Sequence, residues 1–155
     1  VHCEHGRRCI SRGGDYDQEP EPIVTHYLGK RINSPNDIAV APDGAIWFTD
    51  PTFGIIVPSQ GALAAPELDH RSLYRFDPST GDLKRMADFE QPNGIAIAAD
   101  GATLYVSDTS LSLGDAPGQP AVTLYVSDSP PPKRHANGQK AVVASGKEPD
   151  KGSGR

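Results

Sequence analysis

The sequence predicts an all-β protein built from repeated units of four short strands, and three observations carry that prediction. Asn33 to Asp50 reads NSPNDIAVAPDGAIWFTD, and Gln91 to Asp108 reads QPNGIAIAADGATLYVSD. Pro35-Asn36 maps onto Pro92-Asn93 at an offset of 57, Asp43-Gly44 onto Asp100-Gly101 at the same offset, and Asp50 onto Asp108 at 58, with one extra residue near Thr103. Such self-similarity marks a repeat architecture. The segments on either side of each Asp-Gly alternate or are rich in branched and aromatic residues, as strands are. The 15 prolines and 16 glycines among 155 residues punctuate the chain with turns.

In order along the chain, Val1 to Arg12 reads as the tail of a unit, with Arg8 to Arg12 alternating as an exposed or half-buried strand should. Gly13 to Asp17 is a turn, and the acidic, proline-bearing stretch Gln18 to Pro22 is a loop. Ile23 to Leu28 is the next strand. Ile38 to Ala41 and Ile46 to Thr49 flank Pro42-Asp43-Gly44 and form a hairpin. Pro51 to His70 has no clean period and reads as a long connection, a class that includes lids and binding loops. Ser72 to Phe76 and Leu83 to Phe89 flank DPSTGD and form a second hairpin. The cycle restarts at Pro92-Asn93.

Four strands recurring at about 50 residues describe a β-propeller blade, and closing even a small propeller takes about four blades or 200 residues. The 155 residues hold about two blades, so the expected fold is a partial β-propeller over 1–128. Within it, Leu124 to Asp128 repeats Leu104 to Asp108 only 20 residues on and reads as an accident of sequence rather than a blade. Residues 129–155, in which three prolines follow Ser129 and Lys, Gly and Ser are frequent, read as a disordered low-complexity tail with at most a short strand at Ala141 to Ala144.

No run of 18 apolar residues is present, so a membrane span is not expected. The net charge of -5 argues against a nucleic-acid surface, which needs clustered Lys and Arg. A cytoplasmic location is expected, with a periplasmic or secreted one left open because the chain starts at Val1. Cys3 and Cys9, in CEHGRRC, read as half-buried strand residues rather than a zinc pair. Asp15 and Asp17 lack the glycine and distal glutamate of a helix-loop-helix calcium site.

The first strand of a blade lines the channel, so Asn36 and Asn93, in the loops leading into successive first strands, point at its mouth. Their amide oxygens are hard neutral donors suited to Ca²⁺ or Mg²⁺; Pro-Asn pairs are equally ordinary turn formers. Asp50 and Asp108 end second strands. Each is either a carboxylate able to deprotonate a water or a cap on loop backbone, the cap being the better reading for Asp108. Asp43 and Asp100 read as turn residues, and His5, His26, His70 and His135 as surface or packing histidines.

The runs CEHGRRCISR, GKRINSPNDIAVAPDGAIWFTDPTFGI, LYRFDPSTGDL and PNGIAIAADGATLYVSDT, over about residues 1–112, resemble the gluconolactonase and regucalcin (senescence marker protein) family, in its bacterial gluconolactonase-like branch. The resemblance implies a six-bladed propeller with one divalent cation in the channel, Ca²⁺ first and Zn²⁺ or Mg²⁺ as alternatives, hydrolysing a small-molecule sugar lactone. It implies Asn93 as a metal ligand, Asn36 as a metal ligand or substrate contact, Asp50 as the acid or base beside the metal and Asp37 as a weaker candidate. Lys30 and Arg31 are then placed to hold sugar oxygens. The family's glutamate ligand is expected before Val1 and its aspartate ligand after Asp108. The competing expectation is a non-catalytic truncated propeller, or a module that self-associates through open strand edges.

Overall fold

The computed structural model describes residues 1–15, 17–99, 101, 103–109, 122–127 and 143–144. Strands account for nearly all of its regular structure. β1 (His2–Glu4), β2 (Cys9–Arg12) and β3 (Glu21–Val24) form an antiparallel three-stranded sheet in that order. The second sheet holds β6 (Ile38–Val40), β7 (Ile46–Asp50), β8 (Arg71–Phe76) and β9 (Leu83–Phe89), each antiparallel to its neighbour. This is the four-stranded unit expected between Asp37 and Phe89. The third sheet holds β10 (Pro92–Ile97), β11 (Thr103–Asp108), β12 (Val122–Ser127) and β13 (Val143–Ala144), the last pair being parallel. Among the described residues the sheets do not close into a ring, and no helix is long and apolar enough to cross a membrane.

Alternation along the strands explains why the middle sheet is covered on both faces. On one face Ile46, Phe48, Tyr74 and Phe76 pack with Ile10, Val24, Ile32 and Leu68, drawing in the first sheet and the long connection. On the other, Leu73 packs with Leu104 and Val106 of the third sheet, with Trp47, Met86, Ile95 and Ile97 around them. Phe48 stacks on Tyr74 at 5.3 Å between ring centroids, and both are fully buried. Each such side chain contributes roughly 1.5–3 kcal/mol by leaving water.

The two Asp-Gly turns differ where the repeat offset changes. Ala41 N–H bonds the Ala45 carbonyl, and Ala98 N–H bonds the Thr103 carbonyl, so the extra residue lies inside the second turn. Asp43 accepts from the Ala45 amide at 3.0 Å, the turn role expected of it, while Asp100 lies outside the described residues.

Three expectations need correction. The strand expected over Ile23 to Leu28 breaks after Val24, and β4 (His26–Tyr27) pairs with β5 (Lys30–Arg31) around Leu28-Gly29. Both central residues have positive φ, 48° and 78°. A two-residue hairpin demands this geometry, glycine supplies it freely, and leucine hides the signal. The loop expected to run to Pro22 ends earlier, because Glu21 and Pro22 pair with Arg12 and Ser11 in β3. The second LYVS run is no accident either. β12 lies antiparallel to β11 over Thr103↔Ser127 to Asp108↔Val122 and supplies the third strand of its sheet. The short strand expected at Ala141 to Ala144 is present as Val143–Ala144; the rest of the expected tail lies outside the described residues.

Candidate functional site

Four loops meet at one end of the sheets: the β1–β2 turn, the segment leading into β6, the β7–β8 connection and the segment leading into β10. Their meeting is built from two copies of one motif. Asp50, at the end of β7, is fully buried and accepts the backbone N–H of Asn33 on Oδ2 and of Ser34 on Oδ1, both at 2.8 Å. Asp108, at the end of β11, accepts the N–H of Glu90 at 2.9 Å and of Gln91 at 3.1 Å. Each carboxylate therefore clasps the segment that precedes its own sheet. The cap reading is the geometry at both positions.

Around Asp50 the clasp is doubled. Arg8 Nε donates to the carbonyls of Ile32 and Asn33, each at 2.9 Å, so a cation grips the carbonyl side of the segment that the anion grips by its amides. Arg8 is buried with φ at 55°, and its Nη2 has no hydrogen bond among the described residues. Burial pushes the Asp50 carboxyl up to about 7, against the opposing pull of the Asn33 and Ser34 amides and of Arg8.

Thr49 holds both asparagines. Its carbonyl accepts the Asn36 N–H at 3.0 Å, and its Oγ1 donates to the Asn93 carbonyl at 2.6 Å across the two sheets. Asp37 makes a second link between sheets, accepting the Ile95 N–H at 2.8 Å and the Ile38 N–H at 2.9 Å. A third joins the side chain of Gln91 to Thr52 by two bonds, at 3.0 and 2.8 Å. The Asn93 Nδ2 donates to Thr109 Oγ1 at 3.0 Å, which leaves Oδ1 as the uncommitted end of that amide. Asn36 is half-buried and its side chain makes no hydrogen bond among the described residues.

Asn36, Asn93, Asp37 and Asp50 are thus brought together through Thr49 and the two clasps. Arg31 is not part of this group. It is exposed, its guanidinium donates to the Arg7 carbonyl at 2.8 Å, and its N–H goes to Glu67. Lys30 is exposed beside it on β5.

The cysteines are free and lie on paired strands, Cys3 opposite Ile10 and Cys9 opposite Glu4, so the pleat turns them to opposite faces. Burial, reinforced by Asp37 and Asp50, pushes the Cys3 thiol up to about 12. A protonated thiol is a poor zinc ligand. Among the described residues no three His, Cys, Asp or Glu side chains gather as a metal site.

Of the histidines, His26 touches Thr25 near the surface, and His70 bridges exposed Asp69 and buried Tyr74 at 2.8 and 2.9 Å. His135 lies outside the described residues. His5 is half-buried, consistent with the packing histidine expected of it. Its Nδ1 lies 2.9 Å from the Pro35 carbonyl, one peptide from Asn36.

The β7–β8 connection opens on a single helical turn, α1 (Phe53–Ile56), which is pinned rather than loose. Ser34 Oγ donates to the Pro51 carbonyl at 2.6 Å and accepts the Gly54 N–H at 3.0 Å. A Cβ on Gly54 would lie 2.5 Å from His5 Cδ2 and 2.8 Å from Ser34 Cβ. Only glycine fits between that ring and the segment leading into β6.

Comparison with known proteins agrees with this architecture. The family model described as SMP-30/gluconolactonase/LRE-like region matches residues 1–113. A gluconolactonase of Zymomonas mobilis is 33% identical over 107 residues, which cover 68% of this chain and 29% of that protein. A lactonohydrolase of Aspergillus oryzae is 33% identical over 104 residues, 63% of this chain and 23% of that one. Among solved structures, a gluconolactonase from Xanthomonas campestris aligns with a TM-score of 0.66 and 59% identity, covering 70% of this chain and 36% of its own. The chain spans less than a third of the length of the curated relatives it matches. It belongs to the SMP-30/gluconolactonase/LRE-like family.

Proposed function

We propose that this member of the family takes part in hydrolysis of a sugar lactone, with a divalent cation at the loop end of the sheets. The observation that supports the reading is that Thr49 bonds the main chains of both Asn36 and Asn93, beside two further side-chain links between the repeats, Asp37 to Ile95 and Gln91 to Thr52. The donor set fits a hard cation in part. Asn93 has its amide nitrogen committed to Thr109, and the Asn36 side chain has no competing hydrogen bond among the described residues, so both can offer neutral oxygens of the kind Ca²⁺ accepts. Two amides are a fraction of the 6–8 oxygens Ca²⁺ takes, and the remainder would come from water, substrate or other residues. When bound, the cation supplies polarisation of the lactone carbonyl.

The chain's own residues prepare the place for it. Asp50 has both carboxylate oxygens on amides, so in this reading it is a positioning residue that acts through Asn33 and Ser34 on Asn36. Thr49 fixes the spacing between the two loops. Asp37, with an oxygen on each of two neighbouring strands, holds the third sheet against the second beside Asn93. Arg31, with its guanidinium turned to Arg7, contributes a charged rim rather than a direct contact.

The test is turnover of glucono-lactone by the purified chain with and without Ca²⁺, alongside an Asn93→Ala variant. Calcium-dependent acid release that falls at least 10-fold in the variant is expected. Release that is unchanged in Asn93→Ala removes the proposed site. No release, together with no calcium binding by calorimetry, favours the non-catalytic reading, which the unclosed row of sheets among the described residues supports.

A further inference from the structure

We propose that His5 is the general base that takes the proton from the attacking water, an assignment that rests on the lactone reading above. A carbonyl oxygen can only accept, so the 2.9 Å contact with Pro35 places a proton on Nδ1, and in the neutral ring Nε2 is then the nitrogen that carries the lone pair. The ring is held on a second edge by the α1 backbone, where there is no room for even a methyl group between Gly54 and Cδ2. What remains is the edge formed by Cε1 and Nε2, and Nε2 makes no hydrogen bond among the described residues. The ring stands one peptide from Asn36, in the turn that meets the segment leading into β6. Asp50, the other candidate, has neither oxygen free of an amide.

In the step assigned to it, the water oxygen forms a bond to the lactone carbonyl carbon while one water proton passes to Nε2. The ring C–O bond then breaks, and the departing oxygen takes the proton from the imidazolium and becomes a hydroxyl. The product is the open-chain hydroxy acid, with the imidazole returned to its starting form. General-base assistance of this type contributes about 10²–10⁴ in rate.

A purely structural His5 would serve through its bond to Pro35, and the two roles separate by substitution. His5→Asn puts an amide N–H near the place of Nδ1 and keeps that bond while removing the basic nitrogen; His5→Ala removes both. With glucono-lactone and Ca²⁺, kcat is expected to fall about 100-fold or more in both variants, with KM within about threefold and partial rescue of His5→Ala by added imidazole. Activity preserved in His5→Asn overturns the proposal, because the bond alone then suffices. The second readout needs no turnover. In ¹⁵N spectra of the wild-type chain, His5 should carry its proton on Nδ1, and its Nε2 resonance should move when gluconate is added. A proton on Nε2, or a resonance that gluconate leaves in place, overturns the assignment. If the wild-type chain hydrolyses no lactone yet Nε2 moves with gluconate, the hydrolysis reading fails while His5 keeps its place at the ligand.

Discussion

The Asp50 and Asp108 clasps make the same two bonds to the same two backbone positions, 57 residues apart, in different surroundings. Asp50 is sealed beneath the first sheet with Arg8 on the opposite side of the strand it grips, whereas Asp108 is half-buried and faces a segment that starts with exposed Glu90. A hydrogen bond's worth depends on what breaking it leaves behind. In the buried copy, loss of the carboxylate strands the Asn33 and Ser34 amides without water to replace it; in the open copy water can take over.

The strongest test of that difference is a pair of alanine variants followed by denaturant midpoint. Asp50→Ala is expected to cost about 2–6 kcal/mol, because each of the two buried amides left without an acceptor costs about 1–3 kcal/mol. Asp108→Ala is expected to cost about 1 kcal/mol, the net worth of ordinary hydrogen bonds in reach of solvent. Equal losses would mean that burial is not what separates the two copies. Arg8→Met isolates the cation's share. It leaves the Ile32 and Asn33 carbonyls without their donor, and about 2–3 kcal/mol should be lost, measured the same way.

Titration sharpens the contrast. Because the folded-state pKa of Asp50 is raised to about 7, the folded chain holds a proton there that the unfolded chain, at about 3.9, has lost. Its contribution is complete below the unfolded value and disappears as pH rises through about 7. Subtracting the stability profile of Asp50→Asn from that of the wild type should give a difference that declines from about pH 4 to pH 7; a flat difference would show that the carboxylate stays ionised on its amides. Smaller again is the effect expected of glycine replacements. Gly54→Ala meets a ring carbon at 2.5 Å and should cost about 1–3 kcal/mol, while Gly94→Ala meets the Ser107 hydroxyl at 3.2 Å and Asp37 Oδ2 at 3.8 Å and should cost less than about 1 kcal/mol by thermal denaturation. Least of all, Arg75→Ala breaks a 2.9 Å ion pair with Asp43 at the surface, and its denaturation midpoint is expected to match that of the wild type.

The strands were legible where turn chemistry and alternation agree. APDG and DPSTGD bracket β6 to β9, and the apolar positions there divide cleanly between two cores. Leu28 was not legible, since nothing in a leucine announces a left-handed backbone. The lacing of the site was hidden for a different reason. The partners of Arg8, His5 and Thr49 lie 24, 30 and 44 residues away, beyond any local pattern. Asn36 and Asn93 were singled out because the repeat itself pairs them. His5 had one available signal, the EHG run, which served only to mark the family.

The β7–β8 connection resembles a lid in sequence but is built as a wall. Ala64 N–H bonds the Ile55 carbonyl, and a Cβ on Gly61 would lie 2.3 Å from the Gly54 carbonyl oxygen, so the connection is folded tightly back upon its own main chain. An opening motion there would have to undo contacts that fold with the sheets. For the ligand proposed above, a rim held in this way would need little ordering on binding. The Gly54 and Thr52 amides should therefore exchange with deuterium as slowly as those of the strands, whether a sugar acid is present or not.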